Sequence, residues 1–128
     1  MGSKYLIDSN VVIDYLAGNL SKRGASLVRV AVNEIPTISV VTKIEVLSFK
    51  IPLRDGKLLT SFVEESVVIG LSDEIVEATI QLRKQARIST PDAIIAATAV
   101  IYELTLLTRN EQDFRSIKNL KILNPWKR

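Results

Sequence analysis

The chain has 128 residues, of which 47% are hydrophobic and 24% are charged. This length and composition predict one globular domain, residues 1–128, and exclude disordered, collagen-like and low-complexity classes. The net charge of +3 permits an anionic partner such as nucleic acid without requiring one. Since histidine and cysteine are both absent, a Ser-His-Asp triad, thiol chemistry and almost every zinc site are excluded, and any metal must be held by oxygen.

The first half of the chain predicts two strands and four helices. In chain order they are strand Tyr5–Ile7, a helix capped by Ser9 or Asn10 and stopped by Gly18, a helix near residues 22–34 that Pro36 ends, strand Thr37–Val41, a helix that Thr42 and Glu45 open as a capping box and Pro52 breaks, and a helix capped by Asp55. Only Tyr5–Ile7 is apolar before Asp8 interrupts, so we expect no secretory segment.

The second half continues the alternation. In chain order it predicts strand Val67–Ile69, a long helix capped by Asp73, an apolar helix that Thr90 caps with Pro91 at its first position, strand Thr105–Thr108, a short helix over residues 112–116 and an edge strand Lys121–Leu123. The longest uncharged stretch, Ala93 to Tyr102, is about half of the ~20 apolar residues that a membrane-spanning helix needs. We therefore expect no membrane span. The absence of cysteine is compatible with a reducing compartment, and we expect a cytoplasmic protein.

Strands that alternate with helices indicate an α/β fold. This order predicts a three-layer α/β/α sandwich with a central parallel sheet, because crossover helices cover both faces of such a sheet. Functional side chains of parallel sheets lie at the carboxyl ends of the strands and in the loops that follow.

Acidic side chains follow several of these strands. Asp8 ends the first strand, Glu45 lies in the helix after the second, Asp92 opens the apolar helix, and residues 109–113 follow the fourth strand. Taken singly, each has an ordinary explanation: Asp8 and Asp92 favour a helix dipole, and Glu45 completes a capping box. Taken together, they are expected to converge on one edge of the sheet.

Converging carboxylates repel one another, and a divalent cation relieves that repulsion. With only oxygen ligands on offer, Mg²⁺ or Mn²⁺ is the expected ion. Such an ion polarises a phosphoryl oxygen and lowers the pKa of an attacking water. The residues therefore favour metal-assisted hydrolysis of a phosphodiester.

Four segments carry a resemblance to a known family. In chain order they read YLIDSNVVID (residues 5–14), SVVTKIEVL (residues 39–47), TPDAIIAATA (residues 90–99) and LTRNEQDF (residues 107–114). The chain resembles a PIN domain, and within that superfamily the VapC-type toxins of toxin–antitoxin pairs. The segments stand in the family's order and span nearly the whole chain.

The resemblance implies an endoribonuclease that needs Mg²⁺ or Mn²⁺ and acts on RNA. Its metal-binding and catalytic acids are implied to be Asp8, Glu45, Asp92 and, in the last segment, Asp113. Supporting roles fall to Ser9, Asn10, Asn110 and Arg109. Asn110 is a second candidate for the fourth position, which it would fill through its amide oxygen. Arg109 is read either as a phosphate contact or as a surface charge at a strand end.

The resemblance also implies protein partners. These toxins dimerise, and a cognate antitoxin blocks the acidic site, so we expect a homodimer and an antitoxin protein. The apolar faces at Val11–Leu16 and Ile44–Phe49 are candidate contacts, with core packing as the alternative for most of their residues.

Two other functions compete with this one. The first is a catalytically inactive PIN-like module that binds RNA or protein. The second is a phosphotransferase with an aspartyl nucleophile at Asp8. Such an enzyme requires a second acid two positions later, where this chain has Asn10. A nucleotide-binding enzyme is disfavoured because no glycine-rich loop follows a predicted strand.

Overall fold

A computed structural model describes residues 4–50 and 53–127 of the chain, except for the side chains of residues 53–55. The strands in this part of the chain are β1 (Tyr5–Ile7), β2 (Thr37–Ser39), β3 (Val67–Ile69), β4 (Thr105–Leu107) and β5 (Ile122–Leu123). The helices are α1 (Ser9–Leu16), α2 (Lys22–Asn33), α3 (Val40–Ser48), α4 (Leu53–Glu65), α5 (Asp73–Gln85), α6 (Thr90–Ile101) and α7 (Glu111–Phe114). The predicted alternation of strands and helices is confirmed.

All strand pairs in the described chain are parallel, as predicted. β4 pairs with β1 on one side and with β5 on the other, and β2 pairs with β3. β1 also packs beside β2, so the strands lie in the spatial order β3, β2, β1, β4, β5. The carboxyl ends of the strands consequently meet at one edge, where the acidic residues were expected.

The side chains of β1 and β4 divide between two hydrophobic cores. Leu6 and Leu106 pack on one face with the apolar helix α6, whereas Ile7 and Leu107 pack on the other face with α1, α2 and α4. Neighbouring residues of a strand point to opposite faces, so two cores require helices on both sides. The three-layer arrangement is therefore confirmed, and α6 is buried along most of its length, as its composition predicts.

Four predicted helix caps are wrong by one to three residues. The observed N-caps are Asp8, Ser39, Ser72 and Ser89, where the sequence predicted Ser9 or Asn10, Thr42, Asp73 and Thr90. Two or more residues that can cap are adjacent at the starts of α1, α5 and α6, and the first of them is the N-cap. At α3 the candidates Ser39 and Thr42 are three residues apart, and the first is again the N-cap. Pro52 and the Asp55 side chain lie outside the described residues, but α4 already begins at Leu53.

The capping box predicted at Thr42 and Glu45 does not form. β2 ends at Ser39, whose hydroxyl accepts from the Val41 backbone N–H at 3.1 Å and so caps α3. Val40 and Val41, predicted as strand, are helical, because a cap at the strand end overrides their β-branched preference. Glu45 consequently lies in the second turn of α3, where a cap no longer explains its presence.

The described part of the chain contains no helix that is long and apolar enough to cross a membrane.

Candidate active site

The ends of β1 and β4 bring Asp8 and Thr108 together. Ile7 pairs with Leu107 across the two strands, and the next amide, that of Asp8, donates to the Leu107 carbonyl at 2.9 Å. The Thr108 hydroxyl donates to Oδ2 of Asp8 at 2.7 Å, and both residues are buried. Sequence reasoning did not single out Thr108.

Asp8 is a buried carboxylate with hydrogen bonds on both oxygens. Oδ1 accepts from the Ser9 backbone N–H at 2.8 Å, and Oδ2 accepts from Thr108 and, at 3.5 Å, from Nδ2 of Asn10. Burial nevertheless raises the pKa of Asp8 to about 6, while the bonds from Thr108 and Ser9 oppose that rise. The negative charges of Glu45 and Asp92 raise this pKa further.

Ser9 links Asp8 to Glu45. Its backbone N–H holds Asp8, and its hydroxyl donates to Oε1 of Glu45 at 2.9 Å. The first residue of α1 therefore bridges an acid at a strand end and an exposed acid on α3. Ser9, for which the sequence predicts a supporting role, thus contacts both of these acids.

Asp92 and Asp113 form the other end of the acidic cluster. Asp92 lies in the first turn of α6, where its backbone N–H donates to the Ser89 hydroxyl at 3.3 Å. Partial burial is the main cause that raises the pKa of Asp92. A hydrogen bond between the Ser89 side chain and the Asp92 carboxyl opposes this rise, and the charge of Asp113 adds to it. Charge repulsion thus couples Asp8 to Glu45 and Asp92, and Asp92 to Asp113.

Asn110 and Asp113 differ in what they offer the site. The Asn110 backbone N–H donates to the Thr108 hydroxyl at 3.1 Å, but its side chain makes no capping bond at the start of α7. Asp113 is exposed on α7 and acts on Asp92 through its charge. Of these two residues, Asp113 is therefore the one that brings a negative charge to bear on Asp92.

Arg109 lies beside the acids and points along the protein surface. Its guanidinium is 3.9 Å from the Asp14 carboxylate and 5.1 Å from the centre of the Trp126 ring, and its side chain stays 60% exposed. Its backbone N–H donates to Oδ1 of Asn10 at 3.2 Å. Arg109 is thus partly neutralised, yet open to an anion from solvent.

The donor set of the cluster fits a hard divalent cation. Ion pairs in the described residues join only Arg109 to Asp14 and Lys127 to Glu111, so no lysine or arginine neutralises the cluster of Asp8, Glu45, Asp92 and Asp113. The side chains of these four acids offer only carboxylate oxygens, the ligands that Mg²⁺ and Mn²⁺ prefer. Within the described ranges no three acidic residues stand close enough to enclose an ion, so a metal would have to draw the carboxylates inward.

The chain is similar to known proteins over nearly its whole length. The family model described as "PIN domain" matches residues 5–120. Among curated proteins, "Ribonuclease VapC1" of Methanocaldococcus jannaschii is 26% identical over 122 residues, which cover 91% of this chain and 82% of that protein.

Solved structures agree with this similarity. A toxin–antitoxin complex from Klebsiella pneumoniae contains a chain that is 29% identical, with a TM-score of 0.78 and coverage of 97% of this chain and 99% of that one. FitAcB from Neisseria gonorrhoeae, 22% identical, superposes with a TM-score of 0.77 over 97% of this chain and 99% of that one. The second likeness bears on the fold alone.

Proposed function

Because the chain belongs to the PIN-domain family, we propose that it is a metal-dependent endoribonuclease and the toxin of a toxin–antitoxin pair. The observation that carries this proposal is the buried Asp8, whose pKa is raised by burial and by the neighbouring charges of Glu45 and Asp92. An acid cluster of this kind is costly to a fold, which favours a functional over a structural reason for it. The similarity to a curated ribonuclease supports the same reading.

Each acid has a distinct part in the proposed site. Asp8, Glu45 and Asp92 would hold Mg²⁺ or Mn²⁺, and Asp113 would complete the ligand set. The bound ion would supply Lewis-acid activation of the phosphodiester and of the attacking water. Thr108 and Ser9 hold the Asp8 carboxylate in place through its two oxygens, and Ser9 turns Glu45 towards it.

The proposed partners are RNA as substrate, an antitoxin protein and a second copy of this chain. The Klebsiella structure is itself a toxin–antitoxin complex. On α3, Ile44 is 60% exposed, and Leu47 and the C-cap residue Phe49 are also exposed, so this face remains a candidate contact. The other predicted face begins with Val11 and Val12, which are buried in the core.

Calorimetric titration of Mn²⁺ into the purified chain tests the metal site, and it does not require the substrate to be known. We expect binding by the wild-type chain and its loss in Asp92→Asn. Asp73→Asn is the matched control, since Asp73 is also an acid in the first turn of a helix, on α5. No binding by a folded wild-type chain at millimolar Mn²⁺, with or without RNA, would contradict the proposal.

Cleavage of single-stranded RNA tests the reaction. Asp8→Asn and Asp92→Asn should keep the fold and lower the rate by about 100-fold or more, because a metal contributes several kcal/mol to a charged transition state. Asp73→Asn should cleave like the wild type. RNA binding without cleavage by the wild-type chain would favour the inactive binding module instead.

A further inference from the structure

Two chain segments leave the sheet side by side at the edge that carries the acids. β4 and β5 are parallel neighbours, and the Thr108 amide donates to the Leu123 carbonyl at 3.1 Å. Residues 109–113, which lead to Asp113, therefore begin next to Asn124, the first residue after β5. The C-terminal turn 124–127 accordingly lies against the segment that presents the fourth acid.

Asn124 joins these two segments with both ends of its side chain. Nδ2 donates to the Arg109 carbonyl at 3.4 Å and to Oε2 of Glu111 at 3.0 Å. Oδ1 accepts from the Trp126 backbone N–H at 2.9 Å, which fixes the turn that Asn124 itself opens. The side chain is thus held from its own segment while it binds the other.

Two asparagines form hydrogen bonds with the backbone of Arg109, one with its N–H and one with its carbonyl. Its N–H donates to Oδ1 of Asn10, and its carbonyl accepts from Nδ2 of Asn124. Asn10 in turn reaches Oδ2 of Asp8 with its Nδ2. A continuous line of hydrogen bonds therefore leads from the buried acid, through Arg109, to the C-terminal turn.

The C-terminal turn makes three further contacts, two with the 109–113 loop and one with α2. Trp126 lies under the Arg109 guanidinium, and Lys127 pairs with Glu111 at 2.7 Å. Pro125 packs its carbonyl oxygen against Gly24 of α2, where any Cβ would overlap that oxygen. A turn fixed against α2 can hold a neighbouring loop in place.

We propose that Asn124 is a positioning residue for the acidic site. By holding the Arg109 carbonyl, it keeps residues 110–113 at the carboxylate cluster, so that Asp113 faces Asp92. Asn124 lies outside the acid cluster and acts only through the loop. The metal-dependent part of this inference rests on the proposed function, whereas the effect on the loop does not.

Asn124→Ala and Asn124→Asp test the inference together. The aspartate keeps an oxygen for the Trp126 N–H, but it cannot donate to Arg109 and it faces Glu111 with a like charge. Asn33→Ala is the matched control, since Asn33 is an exposed asparagine at the end of α2. The readouts are hydrogen exchange of the Arg109 and Asn110 amides, and the affinity for Mn²⁺.

We expect both Asn124 variants to exchange the Arg109 and Asn110 amides about tenfold faster, as the loss of one hydrogen bond implies. The Leu106 amide in β4 should be unchanged, which reports an intact sheet. Mn²⁺ affinity should fall by about tenfold or more, in the range known for residues that orient metal ligands. Asn33→Ala should match the wild type in all three measurements.

Two results would overturn the inference. One is wild-type exchange of the Arg109 and Asn110 amides in both folded variants. The other is faster exchange with unchanged Mn²⁺ affinity, because the loop would then move without consequence for the acids. If the wild-type chain binds no Mn²⁺, the proposed function fails by itself, and the exchange measurement alone decides whether Asn124 holds the loop.

Discussion

Thr108 donates its hydroxyl to Oδ2 of Asp8 at 2.7 Å, across 100 residues of sequence and with both side chains buried. The same hydroxyl accepts from the Asn110 backbone N–H at 3.1 Å. One side chain therefore supports the most buried acid of the site and the start of the segment that leads to Asp113.

Thr108→Val removes this hydroxyl and keeps the shape of the side chain. We expect the free energy of unfolding to fall by about 1–3 kcal/mol, because Asp8 loses a donor and Asn110 loses an acceptor. The pKa of Asp8 should also rise further, since the lost bond favours the charged carboxylate. Urea unfolding and an NMR titration of the Asp8 carboxyl measure the two effects. Thr108→Ser, which keeps the hydroxyl, should retain the wild-type pKa.

The metal-free chain should lose stability as the pH rises from 4 to 7. The pKa of Asp8 is about 6 in the fold and 3.8 ordinarily, so the folded chain binds this proton more tightly. The associated stability is full below pH 3.8, falls through pH 6, and amounts to about 3 kcal/mol. The raised pKa of Asp92 acts in the same direction, whereas the lowered pKa of Glu111 acts against it.

Asp8→Asn isolates the contribution of Asp8 to this pH dependence. Thermal unfolding of both chains between pH 4 and pH 7 should give a difference that grows in favour of the variant as the pH rises. If the stabilities of the two chains changed in parallel with pH, ionisation of Asp8 would not destabilise the fold, which would contradict this prediction.

Ser9→Ala separates the two bonds that Ser9 makes. The variant keeps the backbone N–H that binds Asp8 and loses the hydroxyl that binds Glu45. We expect Mn²⁺ affinity to fall by about tenfold, as for other groups that orient a ligand. Thermal stability should change little, because the lost contact is exposed. Ser9→Thr retains a hydroxyl donor and should restore the affinity, and equal affinity in the alanine variant would argue against a metal role for Glu45.

Asp113→Asn and Asn110→Ala decide which residue is the fourth acid. The charge of Asp113 raises the pKa of Asp92, so its removal should lower that pKa and weaken Mn²⁺ binding by about tenfold or more. Asn110→Ala keeps the backbone N–H that binds Thr108 and should leave both quantities unchanged. The reverse pattern, measured by carboxyl NMR titration and calorimetry, would assign the position to Asn110.

The strands were predictable because short apolar runs stand between clear helix signals. Tyr5–Ile7 and Val67–Ile69 have the bounds that the sequence predicts, and the two-sided burial of Leu6 and Ile7 follows from strand geometry. The helix caps were less predictable, because Asp8 and Ser9 can both cap. The strand end itself decided the choice, since each helix after β1 and β2 begins directly where its strand stops.

Residues that support the acids from another segment were not predictable from local patterns. Thr108 is hydrogen bonded to Asp8 because β1 and β4 are parallel and in register, and Asn124 reaches Arg109 because β5 lies next to β4. Each is the first residue after an apolar strand. Local sequence patterns do not reveal the order of the strands in the sheet. If that order were known, the first residue after each neighbouring strand would be a candidate for supporting the acids.

The ring beneath Arg109 gives the protein a built-in optical reporter. Trp126 is the sole tryptophan of the chain, and its ring centre lies 5.1 Å from a guanidinium at the edge of the acidic site. Indole emission responds to nearby charge and to water, so the wavelength and intensity of Trp126 fluorescence report on its contact with Arg109. Binding of an anion by Arg109 can therefore be followed in unlabelled protein, in real time, by fluorescence.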